Sequence, residues 1–218
     1  MRTEFHQRLD GLGADLAQMC GRASAIMQSA TQVLLADEPA DVDGIRAELK
    51  NLSTLGAAVH DRAYSLLALQ APVARDLRTV VSALQIAADA DRMGALAAHV
   101  VRSARRPDLD WTVPDDVRGL LTQMGSTAVE LAELARHAVE TGDPSVAERI
   151  CTGDGRMNDL HRELYRAVMA RDWSHGPAVA AELALVGRFY ERFADHAVEI
   201  ARRVYFQVTG IHLEEITA

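Results

Sequence analysis

Apolar residues return every three or four positions through six stretches of the chain, roughly residues 3–36, 40–70, 73–104, 115–141, 144–171 and 178–208. That spacing marks one face of an α-helix, so six helices are predicted. The last stretch shows the pattern best. Val186, Phe189, Tyr190, Phe193, Ala197, Ile200 and Val204 line one side, while Glu191, Asp195 and Glu199 recur on the side away from it, with Arg188 and Arg202 beside them. Stacked carboxylates one turn apart repel each other, and packing does not demand them. Each of the prolines (Pro39, Pro72, Pro107, Pro114, Pro144 and Pro177) falls at a predicted junction, because a proline inside a helix removes a hydrogen bond and clashes with the preceding turn. At Thr141–Gly142–Asp143–Pro144, the glycine can end one helix in the left-handed region and the aspartate can cap the next. Residues 105–114 hold two prolines and no helical period, and read as a linker.

The pattern also repeats. Asp91–Arg92–Met93–Gly94 falls over Glu191–Arg192–Phe193–Ala194, with Ala97 over Ala197 and Arg102 over Arg202; in a second register His60 and Tyr64 fall over His161 and Tyr165. A duplicated unit of three helices is therefore expected. The fold class is all-α, two tandem pseudo-repeated three-helix bundles: residues 1–106, a linker over 107–114, and residues 115–218. Long helices on short connections pack antiparallel.

Composition narrows the function. Hydrophobic residues make up 49% of the 218 positions but aromatics only 5%, which suits closely packed helices. The formal net charge of −8 argues against nonspecific binding to nucleic acid. No apolar run approaches a membrane span and no signal-peptide pattern opens the chain, so a cytoplasmic protein is expected. Cys20 and Cys151 suggest neither a disulfide nor a zinc framework.

Glu191 and Asp195 share one helix face and can reach a single hard cation, and Asp154 and Asn158 have the same spacing on the fifth stretch. Facing pairs of this kind would give a mostly oxygen shell for magnesium, manganese or iron, against the plainer reading of a solvated acidic face. A ferritin-like di-iron site is disfavoured, since it uses Glu-x-x-His pairs and the chain has none. The His60/Tyr64 and His161/Tyr165 pairs read as interior or rim pairs, and His196 as a possible ligand. Glycine-rich phosphate loops and nucleophile motifs are absent from the sequence.

Leu67–Ala68–Leu69–Gln70–Ala71–Pro72–Val73–Ala74–Arg75–Asp76–Leu77–Arg78 resembles the Leu-Ala-x-Gln-x-Pro-Val-Ala-x-Asp-Leu-Arg signature of the PhoU family of phosphate-uptake regulators. Asp91–Arg92–Met93–Gly94 and Glu191–Arg192–Phe193–Ala194–Asp195–His196 resemble its duplicated Glu-Arg-x-Gly-Asp motif. The resemblance implies paired three-helix bundles and a cytoplasmic, commonly self-associating regulator, not an enzyme, expected as a homodimer. Its partners would be the ATPase subunit of the high-affinity phosphate transporter and the sensor histidine kinase of the phosphate regulon, with no nucleic acid and membrane contact only through those partners. Asp76, Arg78, Arg92 and Arg192, which carry the motifs, are the residues expected to meet a partner. The resemblance also implies a divalent metal or iron on each bundle. In the second, Asp154, Glu191 and Asp195 match, with Asn158 in place of an aspartate; in the first only Asp91 remains, beside Ala95, Ser53 and Ala57. Metal is therefore expected in the second bundle alone. The alternative is a carboxylate-bridged metal-binding helical-bundle enzyme.

Overall fold

The computed structural model describes residues 2–36, 42–106 and 111–212. Pro39, Pro107 and much of the linker lie outside the described residues, as does the side chain of Cys151. Six helices follow in order: α1 (Arg2–Leu35), α2 (Asp43–Gln70), α3 (Ala74–Ala104), α4 (Asp115–Thr141), α5 (Ser145–Val168) and α6 (Gly176–Thr209); no strand occurs among the described residues. The all-α expectation holds, and most boundaries fall within a few residues of those read from the period. The exception of interest is α6. Pro177 lies inside its first turn, not at a junction before it, where a missing N–H costs nothing. Gly142 closes α4 at φ 64° and its N–H reaches the Ala138 carbonyl, while Asp143 Oδ1 accepts the Ser145 N–H at 2.9 Å.

Within each half the three helices pack on one another, and across the halves α1 meets α4 and α3 meets α6. The two bundles thus share one apolar core, contributed by all six helices. α1, α3, α4 and α6 form its middle, with α2 and α5 applied outside. The close crossing of α1 and α4 depends on Gly125. A Cβ built there would lie 2.5 Å from Thr31 Cγ2, a distance no side chain tolerates. Thr31 in turn donates to the Met27 carbonyl at 2.9 Å. Its hydroxyl hydrogen is thereby spent, so the Tyr190 hydroxyl donates to Thr31 Oγ1 at 2.8 Å. Tyr190 is fully buried, and burial pushes its hydroxyl well above the ordinary phenol range. At the other end of the interface the Arg118 guanidinium donates to the Leu35 carbonyl at the end of α1, at 2.7 Å, a cation on a helix C-terminus. Cys20 is a buried free thiol, pushed by desolvation up to about 12.

Candidate functional site

The acidic face of α6 is not a free surface. Val186, Tyr190, Phe193, Ala197, Ile200 and Val204 are buried as the period requires and Phe189 is half-buried, but the side opposite is flanked by α5 and α3. Glu191 is only 14% exposed and pairs with Arg188. Asp195 is exposed, and across from it on α5 Asp154 accepts the Asn158 amide at 3.1 Å. Burial holds the Glu191 carboxyl above its ordinary value, and repulsion from Asp195 adds to that; Arg188 and His161 oppose it. The Asp154 carboxyl is raised in the same order, by burial and then by Asp195, against Arg202 and Asn158.

A polar groove of about 320 Å³ opens between α3, α5 and α6, lined by Asp89, Asp154, Asp195, His196, Val198, Glu199 and Arg202. Asp89 is its inner anchor. It is 7% exposed and accepts from His196 Nδ1 at 2.9 Å and from Arg203 Nε at 2.9 Å. Arg203 also reaches Glu199 at 3.0 Å. A buried carboxylate with two such donors is compensated where a lone one is not. His196, read as a possible metal ligand, is instead a partner of Asp89. The register that sets Arg92 over Arg192 sets Asp89 over Phe189 and Glu199 over His99. At that second place the contact is apolar: the His99 ring lies 4.8 Å from the Phe189 ring. One end of the α3–α6 crossing is thus a charge network and the other a ring stack.

Asp89 and Arg203 were not singled out from the sequence. A signal existed for Asp89. It stands among Ile86, Ala87, Ala90 and Met93, on the apolar face of its helix, where a charge needs a partner.

The expected metal ligands divide clearly. Asp91, Ser53, Ala57 and Ala95 are all exposed on the first half, and only Asp91 carries a charge. In the second half Asp154, Asn158, Glu191 and Asp195 come to facing parts of α5 and α6. Yet Asn158 turns its amide to Asp154 and Arg188 occupies Glu191. Among the described residues no three His, Cys, Asp or Glu side chains are grouped so as to hold a metal ion. In this arrangement Asn158 and Arg188 hold Asp154 and Glu191 in contacts of their own.

Arg92 and Arg192 are exposed on corresponding faces of the two halves. Asp76 and Arg78 part company: Asp76 lines a cleft of about 1010 Å³ between α1, α3 and α4, and Arg78 a separate cavity beside the end of α6. The histidine–tyrosine pairs lie at the rim and not in the interior. Tyr64 is 62% and Tyr165 52% exposed and His60 is exposed, since α2 and α5 are the outer helices, while His161 is half-buried beside Gly187 of α6.

A family model described as the PhoU domain matches residues 16–104 and again 121–204. The Mycobacterium tuberculosis protein called phosphate-specific transport system accessory protein PhoU homolog 2 is 48% identical over 210 residues, covering 96% of this chain and 99% of that one. The Mycobacterium leprae PhoU homolog 1 is 46% identical over 217 residues, covering 100% of this chain and 98% of its own. Among solved structures, PhoU from Pseudomonas aeruginosa superposes with a TM-score of 0.81 at 21% identity, over 95% of this chain and 100% of that one, which shows a shared fold. With both copies of its domain present and relatives matched from end to end, this chain belongs to the PhoU family.

Proposed function

We propose that the protein is a negative regulator of phosphate uptake and of the phosphate-starvation response, acting as an adaptor and not as an enzyme. The observation that carries this reading is the nearly full-length match to phosphate-specific transport accessory proteins. On this reading its partners are the ATPase subunit of a phosphate transporter and a sensor histidine kinase, and it acts in the cytoplasm as a homodimer. Among the described residues no helix is long and apolar enough to cross a membrane. The connection between α2 and α3 supports docking. Leu69, Val73 and Leu77 are exposed there, next to Arg75 and Asp76, and Ala71 and Ala74 hold positive φ of 41° and 49°. Strained alanines beside exposed apolar side chains mark a segment shaped for something other than stability.

The role runs through protein contact and needs no metal. Any metal the protein does take up belongs by this reading to Asp154, Glu191 and Asp195, after Asn158 and Arg188 release them. A deletion strain tests the proposal: phosphate uptake and phosphate-responsive transcription should stay high in phosphate-rich medium and return to normal with the wild-type gene. Unchanged uptake and transcription in the deletion strain would sink it.

A further inference from the structure

A cavity of about 390 Å³ lies between the first turns of α3 and the end of α6, lined by Leu77, Arg78, Val81, Ser82, Gln85, Glu199, Arg202, Arg203, Phe206 and His212. Among the described residues, three guanidinium groups and one carboxylate line this space. Glu199, that carboxylate, is already engaged by Arg203 at 3.0 Å and by Arg202 at 3.8 Å. Arg203 is further held by Asp89. Arg78 differs from Arg203: its Nε–H is buried and finds no acceptor among the described residues.

Nothing bulky stands over that guanidinium. Gly210 caps α6 in the left-handed region, at φ 76°, and a Cβ there would lie 3.4 Å from the Arg78 guanidinium carbon. The end of α6 thus passes over Arg78 at ordinary contact distance. His212 stacks on Phe206, ring centres 4.2 Å apart and 15° from parallel, and these rings wall one side of the cavity. A buried donor without an acceptor is rare in folded proteins and asks for one. The planar fork of arginine suits a tetrahedral oxyanion, whose oxygens it can take two at a time. The space is near the lower end of ligand cavities, which run from about 300 to 1,000 Å³, so a small ion fits better than a nucleotide.

We propose that this cavity binds a phosphate-type oxyanion, with Arg78 its principal ligand. Free inorganic phosphate is the source we assign. That identification rests on the phosphate-regulatory reading above; the oxyanion site rests on the cavity alone. Phosphate bound there would tie the start of α3, next to the exposed α2–α3 connection, to the end of α6. The docking segment would then report phosphate directly.

Calorimetric titration of the full-length protein with inorganic phosphate, sulfate and glycerol 3-phosphate tests this. Phosphate should bind saturably at one site per chain, weaken as salt is raised, and lose about tenfold or more in affinity in Arg78→Gln. Arg78→Lys, which keeps the charge but not the fork, should fall between the two. Arg171→Gln, an exposed arginine elsewhere, should bind as wild type. Melting curves of each variant separate lost binding from lost fold. Binding unaffected by either Arg78 variant, or no binding of any of the three anions at millimolar concentration, overturns the site. Equal affinity for sulfate keeps the oxyanion site and removes phosphate as its signal; tighter binding of glycerol 3-phosphate overturns the free-phosphate source. If the wild-type gene complements a deletion strain while the purified protein binds no anion, the regulatory reading stands and this inference falls.

Discussion

The acidic residues of α6 are held by their neighbours in different ways, and that difference sets what their loss should do. Glu191 and Asp154 are raised above their ordinary values by burial and by Asp195, so their charges are tolerated more than used by the fold. Glu191→Ala/Asp195→Ala should melt within a few degrees of wild type, yet fail to restrain phosphate-starvation genes in phosphate-rich medium. A readily unfolding double variant, or one that represses normally, would make the face structural or idle. Phe193 is the opposite case. It is fully buried, and Phe193→Ala should cost about 3–5 kcal/mol, read from denaturant unfolding. His99 gives a pH signature. Burial, and then Arg102, holds its imidazole below the ordinary value of 6.5, so the unfolded chain takes up the proton first. The stability this contributes is complete above that value and is lost as pH falls through the lower folded one. His99→Leu, which keeps an apolar partner for Phe189, should shrink the drop in melting temperature between about pH 7 and pH 5. An unchanged drop would assign the acid sensitivity elsewhere.

At the scale of elements, the crossing of α1 and α4 is governed by what fits at Gly125. Thr31 is β-branched, sits on a helix and is tied to Met27, so it has little room to turn away. Gly125→Val should destabilise by about 1–3 kcal/mol through overpacking. Tyr190→Phe removes only the hydroxyl. Thr31 keeps its bond to the Met27 carbonyl, and the cost should be about 0.5–1.5 kcal/mol. If the two substitutions were equally damaging in denaturant melts, the hydrogen bond and not the close approach would be the critical contact.

The whole molecule is a duplication closed on itself. Because the two bundles share an apolar core across α1–α4 and α3–α6, the chain should unfold in a single calorimetric transition, with matching van't Hoff and calorimetric enthalpies. Two resolved transitions would show the halves to be thermally independent. The shared core also lets an event at the start of α3 reach the end of α6 without a hinge, since the two pack directly.

Helices, their order and their duplication were legible in the sequence, because a 3.6-residue period and helix-breaking prolines are local signals carried by neighbouring residues. The stripe from Val186 to Val204 and the left-handed Gly142 were read in this way. Family membership was legible too, in the run from Leu67 to Arg78. What the period cannot give is which helix covers a given face. It left Glu191, Asp195 and Glu199 all pointing to solvent, whereas only Asp195 is exposed; α5 and α3 flank that side, half-bury the other two and make a groove of it. It passed over Asp89, whose partners His196 and Arg203 lie more than a hundred residues away. It placed Asp76 and Arg78 in one motif, while the packing of α3 sends them to separate cavities. Contacts between residues distant in sequence are decided only when six amphipathic faces are buried together, and the candidate site is built almost entirely from such contacts.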